Sequence, residues 1–208
     1  MLWDPIRRDV VCNDSYAIIE FLNSVAPPGR DLAPPHLRDD IHRWNRLVYS
    51  SINNGVYRCG FAQSQAAYDI AVEELFAALD TVEANLAESR FLCGDELTLA
   101  DVCLFTTLIR FDAVYHVLFR CTKRKLVEYP NLHGYTREIY QMPGVKETCD
   151  LDAIRDAYYG SLFPLNPSGI RPAMPDSARE MELLSLPHNR GAISSSSRKE
   201  HEAMAKFF

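Results

Sequence analysis

The sequence predicts a mainly α-helical protein, and three observations predict it. First, TLADVCLFTTLIRFDAVY at 98–115 opens with a Thr-x-x-Asp helix-start signal and continues apolar almost all round. That is the pattern of a helix at the centre of a bundle. Second, Tyr68, Val72, Leu75, Leu79, Val82 and Leu86 recur at spacings of four and three, with acids on the other face. This marks a long amphipathic helix. Third, strand-like pattern is confined to the first dozen residues, and two short strands cannot bury a sheet on both faces.

The elements follow in order. Leu2–Asp4 and Asp9–Cys12 read as two strands around a turn at 5–8. Ser15–Ser24 reads as a helix, with Ile18, Ile19 and Leu22 at helical spacing and Asn13 or Asp14 as its cap. Residues 26–35, APPGRDLAPP, read as a linker, because their Pro-Pro pairs remove donors and favour extended backbone. Residues 36–175 then form an all-α region. Its first helix carries Leu37, Ile41, Trp44, Val48 and Ile52, and its second is the amphipathic one, ending before a turn at Gly94. The third is the capped helix, with Leu97 placed as a hydrophobic staple and Thr98 and Asp101 as the capping pair. Further helices are expected near 132–141, stopped by Pro143, and near 150–159. Glu73, Glu74, Asp80 and Glu83 read as a solvated face. Residues 176–208 are polar and of low complexity, and read as a mostly disordered tail with at most a fraying terminal helix.

Composition excludes several classes of function. The 208 residues are 47% hydrophobic and 24% charged, ordinary for a globular chain, and the net charge of −6 leaves no basic footprint for nucleic acid. No apolar run reaches membrane-spanning length, and MLWDPIRRD lacks the apolar core of a secretory signal. The six cysteines form no C-x-x-C pair and read as reduced thiols of a cytoplasmic protein. The six histidines show no metal-ligand spacing, so no metal is expected.

Two sets of residues could carry chemistry. Asp14 and Ser15 open a helix directly after a strand, which by itself is an ordinary N-cap. Tyr57, Tyr115 and Tyr158 by themselves read as amphipathic core residues with satisfied hydroxyls.

A resemblance adds to both readings. The T-x-A-D capped helix within an all-α region is similar to the C-terminal half of a glutathione transferase. The run LFTTLIRFDAVY resembles more specifically the xi class, the glutathionyl-hydroquinone reductases. INNGVYRCGFAQ, YPNLHGY, IYQMPGV and NPSGIRP resemble the same class and fall in its order, so the likeness runs from about residue 2 to 175. It implies a glutathione-transferase C-terminal helical bundle at 36–175, preceded at 1–25 by a short β-β-α remnant of a thioredoxin-like domain. It implies glutathione as co-substrate, with Asp14 and Ser15 holding its γ-glutamyl end, although the family usually has Glu where this chain has Asp14. It assigns Tyr57 as proton donor and acceptor, and Tyr115 and Tyr158 as stabilisers of a catalytic thiolate; Tyr159 beside Tyr158 leaves that register open. It puts the nucleophilic cysteine and its proline ahead of residue 1, so the nucleophile is expected to be absent. Cys12, just before a helix, is the best substitute but matches no catalytic position.

The function expected on this basis is that of a reductase of glutathionyl-hydroquinones, catalytically impaired for want of the thiol, in a homodimer. The alternative is a non-catalytic helical dimerisation or interaction domain, or a truncated gene product.

Overall fold

The structure, a computed structural model, describes residues 1–27, 31–174 and 176–193. The chain opens with two strands, β1 (Leu2–Asp4) and β2 (Asp9–Cys12), paired antiparallel with Trp3 opposite Val10 and Asp4 opposite Asp9. Asp4 shapes the turn between them, its Oδ1 accepting from the N–H groups of Ile6 and Arg7 at 2.8 and 3.0 Å. Helix α1 (Ser15–Ser24) follows, and Asp14 is its cap, accepting from Ala17 N–H at 2.6 Å. No residue of α1 is buried, and Trp3, Val11, Phe21, Leu22 and Val25 stay about half exposed or more. This β-β-α unit therefore has no core of its own.

The linker is tied down at Asp31 and Leu32. The Asn23 side chain bonds Asp31 and the N–H of Leu32, each at 2.8 Å. The Leu32 carbonyl then accepts from Leu99 N–H at 2.8 Å, satisfying one of the donors left open at the start of the central helix.

The helical region is built on one continuous core. Helix α2 (Arg38–Leu47) passes through a π-helical turn at Val48–Asn53 into α3 (Asn54–Gly60). Helix α4 (Gln65–Glu88) packs its Val72–Leu75–Leu79–Val82–Leu86 stripe against α3 and α7 (Pro130–Tyr140). Gly55 of α3 faces Leu75 of α4, which a Cβ there would meet at ordinary contact distance, 3.4 Å. Helix α5 (Leu99–Arg110) is the central helix, with Leu104 and Leu108 essentially inaccessible, and it too runs into a π-helical turn, Phe111–Tyr115, and then the short α6 (His116–Leu118). Helix α8 (Leu151–Ser161) closes the bundle beside this second π turn, capped by Asp150 accepting from Ala153 N–H at 2.9 Å. Among the described residues no helix is long and apolar enough to cross a membrane.

Two sequence expectations need correction. Glu83 is not simply part of a solvated face: its carboxylate receives the N–H and side-chain amide of Asn131 and the N–H of Leu132, at 2.7–2.9 Å, and so caps α7. The tail is not structureless from its start. Ser177–Leu184 forms helix α9, capped by Asp176, and the Gln141 side chain holds the carbonyls of Leu184 and Leu186 at 2.8 Å. Arg190 is 2% exposed and donates to the carbonyls of Leu86, Ser89 and Arg90. These are the open acceptors at the end of α4. The expectation for residues 194–208 lies outside the described residues.

Candidate functional site

Both helices that carry a π turn deliver a tyrosine directly from it. Tyr57 sits in α3, just past the first turn; Tyr115 is the last residue of the second. π turns leave the regular hydrogen-bond ladder and need compensating contacts. Here Asn53 bonds Thr107 Oγ1 at 2.8 Å and the Cys103 carbonyl at 3.2 Å, tying the first turn to α5. Asp112 of the second turn accepts from the N–H groups of Leu126 and Val127 at 2.7 and 3.1 Å.

Tyr158, from α8, joins the two. Its hydroxyl lies 2.8 Å from that of Tyr57 and 2.9 Å from that of Tyr115. The three phenols therefore form one hydrogen-bonded row. The adjacent Tyr159 points elsewhere, with its hydroxyl toward the Ala113 carbonyl at 3.4 Å. Phe119, fully buried, is the floor under all three rings, with centroid distances of 5.1 Å to Tyr57 and Tyr115 and 6.0 Å to Tyr158. Phe61 stacks on the outer side of Tyr57. Phe119 fits only because residue 60 is glycine: a Cβ there would come within 2.7 Å of the Phe119 ring. Sequence reasoning missed Phe119 and Gly60, because nothing in local pattern links positions so far apart in the chain.

The row has an open end and a closed end. Tyr57 is 39% exposed and Tyr115 is 3% exposed. Burial, then the hydrogen bond to Tyr158, pushes the Tyr57 phenol up to about 12, and burial pushes Tyr115 up as well. Both stay protonated at neutral pH. Three hydroxyl protons serve two internal bonds, which leaves one to donate outward, and Tyr57 is the phenol positioned to present it.

A Tyr158→Phe substitution tests the row. It removes both bonds, so the Tyr57 pKa is expected to move down from about 12 toward the ordinary 10.0 in an alkaline phenolate titration. The buried Tyr115 hydroxyl loses its partner at a cost of about 1–3 kcal/mol. In the native chain the folded state keeps the Tyr57 proton where the unfolded state has already lost it. Its contribution to stability is therefore full below pH 10 and is lost as pH rises toward 12. An unchanged titration in the variant would show that the row does not hold in solution.

Asp14 and Ser15 lie on a different element, and the structure brings neither into contact with the tyrosines. Both are exposed at the start of α1, and Asp14 spends one carboxylate oxygen on its own helix. Ser15 is the first residue of α1, so its backbone faces outward from a helix N-terminus.

The thiols differ in burial and surroundings. Cys12 is half-buried and its thiol donates to the Asp14 carbonyl at 3.6 Å. Burial pushes Cys93 and Cys103 up to about 11 and raises Cys149. Cys59 and Cys121 are fully buried. His116 turns its Nδ1 to the Cys121 carbonyl at 3.1 Å rather than to a thiol.

Comparison with known proteins bears on this geometry. Residues 65–138 match the family described as glutathione S-transferase, C-terminal domain. The chain is 44% identical over 174 residues to glutathionyl-hydroquinone reductase YqjG of Escherichia coli K12, covering 82% of this chain and 53% of that protein. The glutathione-bound structure of YqjG superposes with a TM-score of 0.82 at 41% identity, covering 90% of this chain and 61% of that one. A xi-class glutathione transferase from Natrialba magadii superposes with a TM-score of 0.83 at 39% identity, covering 90% of this chain and 57% of that one. The chain thus spans a little over half the length of the curated relatives it matches.

Proposed function

Because this chain belongs to the xi class of the glutathione transferase family, we propose that its tyrosine row is the proton-handling face of a glutathione-dependent reduction of glutathionyl-hydroquinones. The observation that carries the reading is the pair of phenol bonds at 2.8 and 2.9 Å, ending at the half-exposed Tyr57. In this reaction a thiolate attacks the substrate sulfur, the hydroquinone leaves, and a second glutathione resolves the mixed disulfide. Tyr57 would exchange a proton with the departing hydroquinone, while Tyr115 and Tyr158 would stabilise the thiolate indirectly, by orienting and polarising Tyr57 through the row. Asp14 and Ser15 would hold the γ-glutamyl ammonium and carboxylate of glutathione, the carboxylate at the α1 N-terminus.

We propose further that these 208 residues alone are catalytically impaired. The thiols of the chain are buried, raised in pKa or held at a strand end, and removing a nucleophile costs several orders of magnitude in rate. A reducing, cytoplasmic setting suits the free cysteines, and pairing with a second copy suits the uncovered apolar residues of the β-β-α unit.

Calorimetry with glutathione on the 208-residue chain tests the half-site. Millimolar or tighter binding, lost in Ser15→Ala and kept in Tyr57→Phe, supports the assignment. A well-folded chain that gives no heat refutes a preformed glutathione site and favours the alternative, a helical interaction domain.

A further inference from the structure

We propose that the cleft between α9 and the helical bundle is a second binding site, for an uncharged phenol whose hydroxyl donates to His116. The cleft has a volume of about 450 Å³, within the usual range for small-molecule sites of about 300–1,000 Å³. Its walls come from α5, the second π turn, α7, α8 and α9, and Leu108, Leu126, Leu151, Met174 and Leu183 supply apolar surface. None of the three row tyrosines lines it. The second π turn divides the two places: Tyr115 goes to the row, while Asp112 and Ala113 line the cleft. The α9 wall is fixed from both sides. Asp176 caps the helix, and Arg155 of α8 pairs with Glu180 at 2.7 Å. The Tyr159 hydroxyl, turned to the Ala113 carbonyl, also lies 3.8 Å from the Met174 sulfur.

The polar groups of the cleft select the ligand. Its acids and Arg179 already have partners. Asp112 accepts from the N–H groups of Leu126 and Val127, Glu180 has Arg155, and Arg179 bonds Glu182 at 2.5 Å. Lys125 is exposed at the rim. An anion entering the apolar interior would lose its hydration with no unpaired cation there to replace it. Two imidazoles remain, those of His116 and His133. His116 holds its Nδ1 3.1 Å from the Cys121 carbonyl. A carbonyl only accepts, so Nδ1 carries the proton, and Nε2 of the neutral ring is left as an acceptor. The His133 ring hydrogen-bonds no other described residue. Burial, then the Arg137 charge, holds its pKa below the ordinary value, so it is neutral at neutral pH and can donate or accept. The cleft therefore asks for a neutral group that gives a proton to one imidazole and can take one from the other. A phenolic hydroxyl does both, and it comes on a ring that leucine side chains and the Met174 sulfur pack against. A carboxylate cannot donate to His116, and a plain hydrocarbon leaves both imidazoles without a partner.

Thymol, a monocyclic phenol, is the probe. Calorimetry on the 208-residue chain measures its binding, and proton–nitrogen correlation spectra of the histidine rings locate it. The expected result is that thymol binds and shifts the His116 Nε2 signal as it is added. Para-cymene, the same ring and alkyl groups without the hydroxyl, should bind about tenfold more weakly, and benzoate no better than para-cymene. His116→Asn keeps a donor for the Cys121 carbonyl but removes the Nε2 acceptor, and should weaken thymol about tenfold. Tyr57→Phe should leave thymol binding unchanged. Should His116→Asn fail to fold, the ring spectra of the native chain decide alone. The proposal is overturned if thymol does not bind, or if para-cymene or benzoate binds as tightly. It is equally overturned if Tyr57→Phe abolishes binding while the His116 signal never moves, because the phenol then belongs to the tyrosine row.

Discussion

Replacing Asp101 with alanine is expected to lower the unfolding free energy by about 3–5 kcal/mol. The carboxylate is fully buried and collects four donors. They are Leu92 N–H at 2.9 Å and Thr98 N–H, Thr98 Oγ1 and Tyr135 Oη at 2.8 Å each. Alanine strands all four in the core, where each unsatisfied polar group costs about 1–3 kcal/mol. It also removes the negative charge from the start of α5 and opens the capping box read from the sequence. Thr98→Ala is the comparison: it removes one hydroxyl and should cost about 1 kcal/mol, the usual loss for a cap. Urea denaturation of both variants measures the difference. If Asp101→Ala cost no more than Thr98→Ala, the carboxylate would be an ordinary cap and not the hub that joins α5, α7 and the turn at Phe91.

Arg190→Met should destabilise the chain by about 3 kcal/mol, from a segment the sequence marks as expendable. Arg190 closes three carbonyls at the end of α4, and its Nε lies 3.4 Å from Glu138 Oε2. Glu138 is 3% exposed; its other partners are Arg90, at 2.6 Å, and the His188 ring, 4.0 Å away. Without Arg190 the carboxylate loses the one buried guanidinium beside it. Adding Glu138→Gln should therefore recover part of the loss, and a double-mutant cycle in urea reads that coupling. A stop placed after Leu184 should cost at least as much as Arg190→Met. Equal stability of the shortened and native chains would refute a docked tail.

The bundle was legible because its signals are periodic. The α4 stripe repeats over about five turns, and the α5 start has its cap and its apolar run side by side in sequence. Ser15–Ser24 could likewise be bounded from Asp14 and three spaced apolar residues. The docked tail was not legible, because it is held by single long-range contacts: one arginine in a ring of carbonyls and one glutamine gripping two more. Such contacts leave no repeat, and a short polar segment that makes them looks like one that makes none. The tyrosine row stood between these cases. Its members could be named by resemblance, but choosing Tyr158 over Tyr159 required knowing which face of α8 meets the second π turn. Phe119 and Gly60 carried no signal at all, since their fit is a matter of shape between distant positions.

The two π turns make residue count part of the chemistry. Deleting one residue from Val48–Asn53 would barely shorten the helix, yet everything beyond it would swing by about 100° around the axis. Tyr57 would leave Tyr158, and no substitution at either position could bring it back. For this molecule, a homologue that keeps every tyrosine but differs by a single gap in those turns has lost the row, however high its percentage identity.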